Sequence, residues 1–90
     1  MTTEDRFTIV NRLGLHARAA TKLVLLATKF PCEVELIHDG QAANAKSVMG
    51  VLLLCGAKGT VIGVRATGER AAECVAAIGQ LIADRFGEDS

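Results

Sequence analysis

Ninety residues make one small domain, spanning 1–90, near the lower size limit at which a chain buries enough surface to fold unaided. Half of the residues are apolar but only three are aromatic, all Phe, so any core must be aliphatic. Ten basic and ten acidic residues cancel, which argues against nucleic acid or an anionic membrane surface as the partner.

The longest apolar run, Val48 to Cys55, is far below the roughly 20 residues of a membrane-spanning helix, so no membrane insertion is expected. Met1–Asp5 is acidic and polar, unlike a secretory signal. Cys32, Cys55 and Cys74 are odd in number, widely spaced and without a C-x-x-C pair. They read as free thiols acting as small hydrophobes in a reducing cytoplasm, with no metal site and no cofactor.

In chain order, Phe7–Val10 is short and β-branched and predicts the first strand. Asn11-Arg12-Leu13-Gly14 follows, and Gly14 suits a sharp turn. From Ala17 the period changes: Ala20, Leu23, Val24, Ala27 and Phe30 fall on one helical face, and Pro31 ends the helix. His16 therefore stands at a helix mouth, where unpaired N–H groups and a partial positive charge favour an anion such as phosphate. Arg18 adds a fixed cation with planar donors. Imidazole carrying a phosphoryl group fits this arrangement; a plain cap or surface histidine is the simpler alternative. Arg18, Lys22 and Lys29 form an exposed, mostly basic stripe leading away from His16.

Cys32–His38 alternates as a half-buried strand, Asp39-Gly40 signals a two-residue hairpin, and Gln41–Ala45 returns as a third strand. Ser47 fits an N-cap for a short helix, Val48–Leu54, which is apolar nearly all round. Its free side is either buried or an apolar docking patch presenting Val48, Met49 and Leu52. Gly56–Gly59 is a loop whose G-x-x-G form matches an RNA-clamping loop by chance, because that loop lies between two helices and base-stacking aromatics are absent. Thr60–Ala66 predicts the last strand and Glu69–Phe86 the last helix, with Gly87–Ser90 expected to fray. The order strand, helix, strand, strand, helix, strand, helix implies an α+β domain: a four-stranded, mainly antiparallel sheet with helices on one face.

Three stretches resemble the histidine-containing phosphocarrier (HPr) family of the bacterial phosphoenolpyruvate-dependent phosphotransferase system. Gly14-Leu15-His16-Ala17-Arg18 is similar to its active-site segment. Ala45-Lys46-Ser47-Val48-Met49-Gly50-Val51 is similar to its regulatory-serine segment. Gly59 to Phe86 is similar to its closing strand and helix. The resemblance implies an open-faced β-sandwich of order βαββαβα. It implies that His16 is phosphorylated on Nδ1 by enzyme I, with Arg18 assisting, and that the group passes to the A component of an enzyme II during sugar uptake. The chain would then be a carrier with a phosphohistidine intermediate rather than a stand-alone enzyme, and is expected to act as a monomer. Ser47 would be the target of a serine kinase/phosphorylase. Arg18, Lys22 and Lys29 would meet acidic partner surfaces, with Val48, Met49 and Leu52 as apolar anchors. Where the family usually has proline after the arginine, this chain has Ala19. The alternatives are a regulatory, nitrogen-type branch of the same system and an interaction domain that transfers nothing.

Overall fold

A computed structural model describes residues 1–90. The elements are β1 (Thr2–Thr8), α1 (Ala17–Ala27), β2 (Glu33–His38), β3 (Gln41–Asn44), α2 (Val48–Leu53), β4 (Val61–Thr67) and α3 (Ala71–Ala83). The strands form one antiparallel sheet in the order β1-β4-β2-β3, and the three helices cover one face, as the sequence predicts. No helix is long and apolar enough to cross a membrane.

Alternation decides the faces. Val34 and Leu36 of β2 and Ile62, Val64 and Ala66 of β4 are buried under the helices. On the open face Arg65 of β4 stands between Glu4 of β1 and Glu35 of β2 and pairs with both. Helix α1 contributes Ala20, Leu23, Val24 and Ala27 to the core, and α3 contributes Val75, Ile78 and Ile82. Gly79 lets α3 lie against β1: a Cβ there would fall 2.2 Å from the Phe7 ring.

Four expectations need correction. The first strand is Thr2–Thr8 rather than Phe7–Val10. An edge strand with one solvated face accommodates Glu4, Asp5 and Arg6, so charge does not end it, and pairing with β4 runs from Thr2↔Thr67 to Thr8↔Val61. Helix α1 ends at Ala27; Lys29 and Phe30 then donate to Leu26 and Ala27 in a tightened last turn. Cys55 is exposed rather than a core residue, whereas Cys32 and Cys74 are buried, and burial beside Cys32 pushes the Cys74 thiol up to about 12.

The fourth correction concerns the chain end. Helix α3 stops at Ala83, and Arg85, Phe86 and Gly87 adopt left-handed backbone angles in a short 3₁₀ turn. Two consecutive non-glycine residues in that region are strained and persist only where the surroundings fix them. The Phe86 side chain is fully buried, and the ammonium of Lys22 donates to its carbonyl at 2.6 Å. The residues beyond lie against the fold rather than standing free. Arg12 N–H donates to Ser90 O at 3.0 Å, which lays residues 88–90 along the β1–α1 connection.

Candidate functional site

The turn after β1 is built on Gly14, whose φ of +66° is open to glycine and whose Cβ, if present, would lie 2.4 Å from Gly56 O. Leu15 N–H donates to Gly56 O at 2.8 Å and buries its side chain. Chain direction is thereby fixed when it reaches His16, the N-cap of α1, with extended backbone (φ −78°, ψ 177°).

The ring of His16 is held at both nitrogens. Nδ1 accepts from Arg18 N–H at 3.3 Å, and Nε2 lies 2.5 Å from Glu88 Oε2. The other Glu88 oxygen accepts from Asn11 Nδ2 at 3.0 Å, and the same amide donates to Gly14 O at 2.8 Å. Asn11 is the one fully buried polar side chain, and its Oδ1 has no protein partner. Asn11 and His16 together hold the Glu88 carboxyl below its ordinary range, Asn11 contributing most. The His16 side chain keeps about a quarter of its surface, 27%, open to solvent. It borders a shallow depression with Arg12, Leu13, Arg18 and Asp89.

Donors converge on this opening. Ala20 N–H already donates to His16 O, but the N–H groups of Ala17 and Ala19 have no partner within the protein. The Arg18 guanidinium is exposed and makes no ion pair. An anion placed against Nδ1 would stand at the helix mouth beside exposed Ala17 and the unpaired guanidinium of Arg18, in a depression that Glu88 and Asp89 also line.

The residues expected at the site divide as follows. His16 and Arg18 come together at the mouth of α1. Lys29 is exposed in the turn after α1, whereas Lys22, expected as a free cation, has its ammonium on Phe86 O. Ser47 is the N-cap of α2, its Oγ accepting from Gly50 N–H at 3.2 Å. On α2 the exposed apolar side chains are Met49 and Leu53; Val48 and Leu52 pack partly against the core and Val51 is buried. His38 bonds to its own scaffold through Nδ1, which donates to Leu54 O at 3.1 Å. Sequence reasoning passed over Asn11, Glu88 and Leu53. Asn11 stood inside the turn motif, and a Phe closing the apolar face of the last helix was the available signal that the residues after it are anchored.

The comparisons with known proteins agree with this geometry. The family model described as "PTS HPr component phosphorylation site" matches residues 3–84. The chain is 46% identical over 87 residues to the phosphocarrier protein HPr of Xylella fastidiosa, covering 97% of this chain and 98% of that one. It is 41% identical over 87 residues to the phosphocarrier protein NPr of Shewanella violacea, covering 97% and 96%. The crystal structure of HPr from Thermoanaerobacter tengcongensis superposes with a TM-score of 0.94 at 36% identity, covering 98% of this chain and 99% of that chain. The chain belongs to the HPr family of phosphocarrier proteins of the phosphotransferase system.

Proposed function

We propose that this chain accepts a phosphoryl group on Nδ1 of His16 from phosphorylated enzyme I and delivers it to the A component of an enzyme II. The observation that carries the reading is the placement of a partly exposed imidazole, Nδ1 on Arg18 N–H, at a helix mouth with unpaired N–H groups and a free arginine. Phosphoryl transfer has little covalent work for the protein to do, so positioning and charge stabilisation dominate. The Nδ1 lone pair gives up its hydrogen bond from Arg18 N–H and attacks phosphorus while the bond to the donor breaks, and the electron pair of that bond leaves with the donor. Arg18 and the N–H groups of Ala17 and Ala19 take the charge on the phosphoryl oxygens. Solvent exposure lets two different proteins reach the same nitrogen in turn.

Docking is assigned to Arg18 beside the site, to Lys29 past the far end of α1, and to Met49, Leu53 and the exposed margins of Val48 and Leu52 on α2. Met49 and Leu53, four residues apart on α2, are 67% and 70% exposed, so two large apolar side chains stand together on one side of the helix. The similarity to NPr of Shewanella violacea supports a second reading, service in a regulatory, nitrogen-type branch rather than in sugar uptake.

The test is incubation with enzyme I and labelled phosphoenolpyruvate, followed by mapping of the label. The label is expected on His16, lost in acid and retained in base. His16→Ala should remove it with the fold intact, and His38 should remain unlabelled. Full labelling of His16→Ala would overturn the assignment.

A further inference from the structure

We propose that Glu88, steadied by Asn11, is the positioning residue that fixes the His16 imidazole in the tautomer with its proton on Nε2, so that Nδ1 is the nucleophile. The proposal rests on the reading of His16 as the phosphate carrier and adds to it a cause for the choice of nitrogen.

Two contacts require the same tautomer. Glu88 Oε2 lies 2.5 Å from Nε2, and an ionised carboxylate only accepts, so Nε2 must donate. On the opposite side of the ring Arg18 N–H points at Nδ1 from 3.3 Å, and a backbone N–H only donates, so Nδ1 must accept. A neutral imidazole has one proton, and both neighbours put it on Nε2.

The carboxylate is itself held in place. Asn11 Nδ2 donates to Glu88 Oε1 at 3.0 Å from a fully buried position. Asn11 is in turn fixed by its bond to Gly14 O at 2.8 Å, in the turn that delivers His16. Buried Phe86 and the Lys22 bond to its carbonyl set the start of the segment that carries Glu88. Each link bears on the orientation of one ring.

The pairing persists through transfer. When Nδ1 forms its bond to phosphorus, Nε2 keeps its proton and the ring gains one positive charge. That charge lies against the carboxylate, which does not have to move. When the group leaves to the next acceptor, the electron pair of the N–P bond returns to Nδ1 and the neutral tautomer is restored. In this role Glu88 acts through the imidazole and not on the phosphoryl group itself.

The test begins on unphosphorylated protein. Ring nitrogens of His16 are observed by ¹⁵N NMR at a pH where the imidazole is neutral. Wild type is expected to show the Nε2-protonated form alone. Glu88→Ala, and Glu88→Gln, whose amide donates as readily as it accepts, should both show a mixture with the Nδ1-protonated form, and Glu88→Asp should restore part of the preference. Phosphorylation by enzyme I should slow on the order of tenfold in Glu88→Ala and Glu88→Gln, the loss seen when a group orienting a functional histidine is removed. Unchanged tautomer populations in both variants, with amide spectra showing an intact fold, would overturn the proposal. Label mapping separates the two claims: a label away from His16 fails the carrier reading, whereas a label on His16 with unchanged tautomers and rates fails the role of Glu88 alone.

Discussion

The ammonium of Lys22 donates to the carbonyl of Phe86 at 2.6 Å, joining the second turn of α1 to the left-handed turn that follows α3. Lys22 lies one turn beyond Arg18, so a residue that sequence pattern assigns to a basic docking stripe instead braces the segment carrying Glu88.

Lys22→Met should therefore act on stability. A hydrogen bond from a charged donor contributes about 1 kcal/mol or more, and its loss should lower the melting temperature of a domain this size by roughly 4–8 °C per kcal/mol. Lys29→Glu should leave melting unchanged and instead slow association with enzyme I, with a weaker salt dependence. Urea unfolding and transfer rates across ionic strength separate the two. A Lys22→Met variant as stable as wild type would show that the brace contributes nothing.

Much of the architecture was legible because its signals are local. Leu23, Val24 and Ala27 at helical spacing mark α1, Pro31 bounds its last turn, and Asp39-Gly40 gives a hairpin with both residues at positive φ, as its turn type requires. The mouth of α1, with Gly14, His16 and Arg18, was legible for the same reason. The errors are tertiary. Charged β1 is held by its partner strand, not by propensity. The segment after Phe86 is held by contacts to Asn11, Arg12, His16 and Lys22, more than sixty residues away in sequence, which no local pattern encodes. The family resemblance reached His16 and Arg18 but did not reach Glu88.

The Glu88 carboxyl is held below its ordinary range by Asn11 and then His16, so its ionised form stabilises the fold. The sign follows from linkage: this contribution is complete above the ordinary carboxylate range and is lost as pH falls through the depressed value in the folded protein. Glu88→Gln should be less stable than wild type at neutral pH, and the gap should close in acid. Unfolding midpoints measured across that range check it; a gap independent of pH would contradict the ionic contribution.

Ala19 replaces the proline usual at this position in the family, and its N–H has no partner within the protein. Ala19→Pro is tolerated by a first helical turn, where that N–H is not part of the helix ladder. The substitution removes one unpaired donor from the first turn of α1, the turn that His16 caps. Phosphate shared between enzyme I and the variant should shift toward enzyme I, on the order of tenfold for a hydrogen bond to a charged group. An unchanged distribution at equal stability would show that the Ala19 N–H takes no part.

Ser47 allows a test in which stability and rate move in opposite directions. Its Oγ caps α2 through Gly50 N–H, so Ser47→Ala should cost about 1 kcal/mol, whereas Ser47→Asp, another good N-cap, should keep the fold near wild-type stability. Negative charge at this helix start is favourable for the protein itself. It is unfavourable for an acidic partner resting on exposed Met49 and Leu53. The adjacent cation offers little relief, because the Lys46 ammonium donates to Phe30 O at 2.8 Å. A phosphate on Ser47 adds about two negative charges, and aspartate one. The more stable variant, Ser47→Asp, should therefore accept phosphate on His16 more slowly than the less stable Ser47→Ala, and enzymatically phosphorylated Ser47 more slowly still. Melting curves and initial labelling rates of the three proteins check the order. Equal rates in all three would leave Ser47 as a helix cap with no bearing on transfer.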